Sequence, residues 1–183
     1  KEVPESARTL LESNVKDEIK HDLALGFIVE SHGADPIAEM EAIRLRDAWI
    51  QHPDHTILKA LVAERAIFFV LLPMFRFLGD AALRTVSADI SRDEQIHVAT
   101  NSLVCRELGL VPSNSLDKLR KATISWVLQP LKTSPDKHLD KSFWLDASDR
   151  LMYEGKAPQF ADTKAARMPA FFEHANTNLP QYA

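Results

Sequence analysis

Apolar residues recur along this chain at three- and four-residue spacing, the signature of helices that bury one stripe. Between residues 57 and 75, Ile57, Leu61, Phe68, Leu71 and Phe75 form such a stripe, and Glu64 falls on it. Further on, Leu83, Ile90, His97 and Val104 repeat every seven residues, with Glu94 and Asn101 on the flanking row. Near the start, Leu11, Val15, Leu25 and Val29 bracket Glu18 and His21 in the same way. Alternating β-branched runs are scarce and there are five glycines, so the pattern predicts an all-α fold.

Capping and breaking residues set the boundaries. A first helix is expected from residue 4 or 5 to residue 30, stopped by Ser31-His32-Gly33. Asp35-Pro36 supplies an N-cap and a first-turn proline for a second helix, ending at Gln51. His52-Pro53-Asp54 turns into a third helix that ends near Leu78. Gly79-Asp80 separates it from a fourth, which runs to Leu108 before Gly109. Shorter helices are expected over 115–128 and 141–153. Residues 1–156 thus read as one helical domain, and 157–183 as a loosely structured tail with one helix near 164–174.

Composition narrows the setting. At 45% apolar and 26% charged, the 183 residues are those of an ordinary soluble globular domain. A net charge of −4 offers no electrostatic attraction to nucleic acid or to an anionic membrane. No run approaches the roughly 18 apolar residues that span a bilayer. Cys105 is alone, which excludes an intrachain disulfide, favours a reducing, cytoplasmic compartment, and reads as a small core residue. The opening Lys-Glu-Val-Pro is not a signal peptide and has no initiator Met, so the chain is expected to begin inside a longer translation product.

The candidate chemistry lies on the apolar stripes. Glu18/His21 and Glu94/His97 share an E-x-x-H spacing, which places carboxylate and imidazole on one helical face. With 12 glutamates and 7 histidines, composition alone gives about 0.5 such matches. Two occur, both in phase with the apolar positions, and Glu64 lies in phase between them. A carboxylate on a core face is costly unless paired or metal-bound. Paired E-x-x-H helices with glutamates from two others are the recipe for a two-metal centre in a four-helix bundle. Carboxylates and imidazoles suit iron or manganese better than zinc.

Ser91-Arg92-Asp93-Glu94-Gln95-Ile96-His97 resembles the Arg-Asp-Glu-x-x-His segment of the small, radical-generating subunit of class I ribonucleotide reductase. Ala63-Glu64-Arg65-Ala66-Ile67-Phe68-Phe69 is similar to that family's glutamate helix with its trailing aromatics. The resemblance spans about residues 4–110 and implies a ferritin-like bundle with a carboxylate/histidine di-metal core, Fe/Fe or Mn/Fe. It implies Glu18, His21, Glu64, Glu94 and His97 as metal ligands, and Asp93 as the acceptor that orients His21. Phe68 and Ile90 would wall the oxygen-binding side. It also implies a homodimer, a separate large catalytic subunit docked through the tail carrying Tyr182, and a role in deoxyribonucleotide biosynthesis and DNA replication.

Two positions depart from that pattern. The family's sixth, carboxylate ligand lies about 30 residues before the first E-x-x-H, where this chain has 17 residues. A helix upstream is the expected source, with Asp146, Asp149 and Glu154 as alternatives. The family's radical-bearing tyrosine position is Leu25, so no catalytic residue is assigned there. Two other functions are therefore weighed. A stand-alone di-metal oxygenase or oxidase of a small molecule or lipid would show a pocket opening from the metals beside Leu25, Phe68 and Leu72. A metal-free helical interaction protein would hold its core acids protonated or paired, with Glu18, Glu64 and Glu94 beyond hydrogen-bonding distance of one another.

Overall fold

The computed structural model describes residue 3 and residues 5–160, apart from the side chain of residue 6. The expected helix near 164–174 and Tyr182 lie outside the described residues. The chain is all-α over the described part, with one isolated bridge between Lys132 and Asp140.

Helix α1 (Glu5–His32) is followed by α2 (Pro36–Gln51), α3 (Thr56–Ala63), a π turn (Glu64–Phe68), α4 (Phe69–Leu78) and α5 (Ala81–Leu108). Then come α6 (Asn114–Val127), α7 (Lys141–Glu154) and a 3-10 turn (Pro158–Phe160). The caps follow the sequence. The Asp35 carboxylate accepts from the Ile37 amide with Pro36 in the first turn, and Asp80 accepts from the Leu83 amide. Gly109 stops α5 at φ 70°, the left-handed conformation that glycine adopts most cheaply.

The third predicted helix is divided. At its centre, the amide of Phe69 donates to the carbonyl of Glu64, the i to i+5 bond of a π turn. Such a turn leaves no signature in composition, because its residues are ordinary helix formers.

Helix α5 is the central element. α1, α3 and α4 pack on it, and α6 and α7 close over the π turn from the other side. Ile67, Val70 and Met74 join Ile124, Leu128, Trp144, Ala147 and Phe160 in the larger core. Ala157 and Phe160 pack onto this core, so the helical domain continues past residue 156. A smaller core holds Leu58, Leu61, Val62, Leu116 and Cys105, where burial pushes the thiol pKa up, as expected of a core residue. Arg120 is fully buried and bonds Asp117, Ser148 and Asp149, tying α6 to α7. No helix of the described residues is long and apolar enough to cross a membrane.

Helix α1 departs from its predicted stripe. Asn14 and His21 are its buried residues among those described, whereas Val15 is 61% and Val29 50% exposed. Among the described residues it packs mainly on α5 along one edge, and the rest of its apolar surface is exposed.

Candidate metal centre

α1 and α5 carry the two E-x-x-H pairs, and their packing brings the pairs face to face. His97 Nδ1 lies 3.0 Å from Glu18 Oε1 and 3.7 Å from Glu94 Oε2. His21 Nδ1 mirrors it, 3.4 Å from Glu94 Oε1 and 3.7 Å from Glu18 Oε2. The imidazole centroids are 5.9 Å apart. The π turn adds Glu64, whose Oε2 accepts 2.8 Å from Asn101 Nδ2 on α5.

Ligand atoms of Glu18, Glu64, Glu94 and His97 all lie within 4.8 Å of one another, a cluster that can hold a metal ion. His21 stands at its edge rather than in that set of four, reaching it through Glu18 and Glu94. On its far side, His21 Nε2 lies 3.0 Å from Asp93 Oδ2. A carboxylate only accepts, so the proton belongs on Nε2 and the Nδ1 lone pair faces the cluster.

Electrostatics show the strain of this arrangement without a cation. Glu94 is fully buried, and burial together with the charges of Glu18 and Glu64 pushes its pKa up to about 9. Burial also raises Glu64, against the stabilising bond from Asn101. Both oxygens of Glu94, with Nδ1 of His21 and of His97, are buried without a well-formed hydrogen bond among the described residues. Buried polar atoms left this way cost free energy. A divalent cation held among Glu18, Glu64, Glu94 and His97 would satisfy the Glu94 carboxylate and the His97 ring nitrogen together, and carboxylate oxygens with imidazole are a donor set suited to a divalent metal ion.

The chain matches no protein-family model, no curated protein and no solved structure.

A cleft of about 230 Å³ opens beside the cluster. Leu25, Phe68, Leu71, Leu72, Phe75 and Ile90 wall it, and Glu18, His21, Asp22 and Glu94 form its polar end. Phe68 and Ile90 therefore both stand on this side, but unequally. Ile90 is 5% exposed, whereas Phe68 is 38% exposed at the rim. The predicted stripe of Phe68, Leu71 and Phe75 lines the cleft, and the helix buries its adjoining face of Ile67, Val70 and Met74 instead.

The three alternative acids are occupied elsewhere. Asp149 holds Arg120, and Asp146 and Glu154 flank Arg150, all away from the cluster on α7. Sequence reasoning missed two acids nearer by. Asp22 lines the cleft, and Asp17 Oδ2 lies 3.6 Å from His97 Nε2. The signal for Asp17 was present: it precedes Glu18 just as Asp93 precedes Glu94.

Proposed function

We propose that this chain is the small, dioxygen-activating subunit of a class I ribonucleotide reductase, a ferritin-like bundle holding Fe/Fe or Mn/Fe. In this reading it is cytoplasmic, forms a homodimer, and serves a separate large subunit that reduces ribonucleotides. The observation that carries the reading is the convergence of Glu18, Glu64, Glu94 and His97 within 4.8 Å, inside the Arg92-Asp93-Glu94 context.

Two metal ions held here would supply the redox chemistry that activates dioxygen and stores an oxidising equivalent. The chain's own residues do the rest. Glu18 and Glu94 stand between the two imidazoles and, with Glu64, would hold the metal through their carboxylates. Glu64 is steadied by Asn101, and His21 is held by Asp93 with its Nδ1 inward. Ile90 and Leu72 keep the cleft side apolar. Leu25 stands one turn after His21, so α1 offers no phenol at that place.

The test is elemental analysis for iron and manganese, followed by ribonucleotide reduction with a complementing large subunit. Two metal equivalents and turnover are expected. Uptake of neither metal would refute the reading.

The cleft favours a second reading, a stand-alone di-metal oxygenase or oxidase. Leu25 leaves open space next to Glu18 and His21, and an apolar substrate fits those walls. A metal-loaded protein that consumes dioxygen with an apolar substrate, yet supports no ribonucleotide reduction, would select this alternative.

A further inference from the structure

The two ligand helices carry the same five-residue pattern, Asp17-Glu18-Ile19-Lys20-His21 on α1 and Asp93-Glu94-Gln95-Ile96-His97 on α5. Their geometry is reciprocal. Asp93 on α5 sits 3.0 Å from Nε2 of His21 on α1, and Asp17 on α1 sits 3.6 Å from Nε2 of His97 on α5. In both histidines Nδ1 faces the glutamates and Nε2 faces the aspartate of the opposite helix.

We propose that Asp17 is a positioning residue for His97, the counterpart of Asp93 for His21, so that each ligand helix orients the imidazole of the other.

His97 gives the reason. Its side chain is 1% exposed, and Asp17 Oδ2 lies 3.6 Å from its Nε2. Nε2 is buried and lacks a well-formed hydrogen bond among those residues, so an imidazole there needs an acceptor. Asp17 is 24% exposed and divides its oxygens. Oδ1 accepts from Lys20 Nζ at 2.9 Å, and Oδ2 points to His97. Lys20, itself exposed, meets Oδ1 from the solvent side and leaves Oδ2 directed at His97 across 3.6 Å. Holding the proton on Nε2 leaves the Nδ1 lone pair of His97 toward Glu18 and Glu94. Partners of this kind typically change metal affinity about 10–100-fold.

The proposal rests on the di-metal reading, and the tests separate the two. In the full chain, ¹⁵N NMR of metal-free protein should show a measurable population of His97 protonated on Nε2, toward Asp17, in competition with Nδ1, which lies 3.0 Å from Glu18. Asp17→Ala should move it toward Nδ1–H, Asp17→Asn should fall between, and Lys20→Ala should leave it in place. Titration with Fe(II) or Mn(II) under anaerobic conditions should show one of two equivalents weakened about 10–100-fold in Asp17→Ala. Asp93→Ala should weaken one equivalent likewise, and the double variant both. Helix content by circular dichroism should match wild type throughout. An unchanged His97 tautomer in Asp17→Ala, wild-type affinity for both equivalents, or the same losses in Lys20→Ala would overturn the assignment. If wild-type protein takes up no metal, the di-metal reading fails, and the tautomer shift alone decides the pairing of Asp17 with His97.

Discussion

Glu94 concentrates the chemistry of the site in one side chain. Its pKa is raised from 4.5 to about 9, chiefly by burial and then by the charges of Glu18 and Glu64. Between those values the metal-free folded protein keeps a proton that the unfolded chain has released. Folded stability must therefore fall as pH rises through this window, by about 1.4 kcal/mol per pH unit for one such proton, and level off above it. Glu64, also raised, adds in the same direction. Denaturant unfolding in chelator across pH 5 to 9 should show the decline, and Glu94→Gln should flatten it. A wild-type slope no steeper than that of the variant would refute the assignment. A bound divalent cation replaces the proton, so metal loading should abolish the decline as well. Arg120 offers a second test at this scale, away from the metal cluster. It is fully buried and bonds Asp117, Ser148 and Asp149, so truncation empties a buried site and takes a donor from buried Ser148, while the two carboxylates keep access to solvent. Arg120→Ala should cost about 1–3 kcal/mol in thermal or chemical unfolding, while a loss under about 0.5 kcal/mol would show that the network contributes little.

At the scale of elements, the π turn allows one helical segment to serve two surfaces. Glu64 at its start faces the cluster, while Ile67, Val70 and Met74 beyond it enter the core against α6 and α7. Deleting Phe68, the exposed residue of the turn, converts the bond from Phe69 to Glu64 into an ordinary i to i+4 bond, so α3 and α4 should join as a regular helix with Glu64 and the buried face of α4 kept in register. Metal stoichiometry and helix content should then match the wild type. Loss of an equivalent with helix content preserved would show that the widened turn itself positions Glu64. The same elements mark what the sequence could reveal. Asp35-Pro36 and Gly109 set helix ends because their chemistry is local, and Glu18, His21, Glu94 and His97 were legible because the 3.6-residue period fixes shared faces. The π turn was not, since shifting a hydrogen bond by one residue asks nothing unusual of Glu-Arg-Ala-Ile-Phe. The role of Val15 and Val29 was misjudged for another reason. Periodicity shows which residues share a face, and says nothing of whether another element covers it.

For the whole molecule, those uncovered faces carry the argument for assembly. On α1, Val15, Ile19, Leu23 and Phe27 follow one another at four-residue spacing and are 61–65% exposed. On α2, Ile37, Met40, Ile43 and Ile50 are 48–66% exposed, and that helix has no buried residue. Apolar patches beyond a few hundred Å² are rare on monomers and usually mark an interface. The proposed homodimer gives these stripes a partner of the same composition, and a self-complementary interface needs roughly 800 Å² from each chain. Sedimentation of the full chain should therefore give the mass of two chains. Leu23→Asp with Phe27→Asp would place two charges in the closed interface and should weaken association at least about 100-fold, since burying each apolar side chain contributes about 1.5–3 kcal/mol. Neither residue lines the cleft, so both metal equivalents should remain. A single-chain mass for the wild type would refute the homodimer, and an unaltered dimer in the variant would place its interface on another face. If both metals were lost with the dimer, α1 would depend on its partner to hold Glu18 and His21 against α5. Assembly and metal loading would then be a single event.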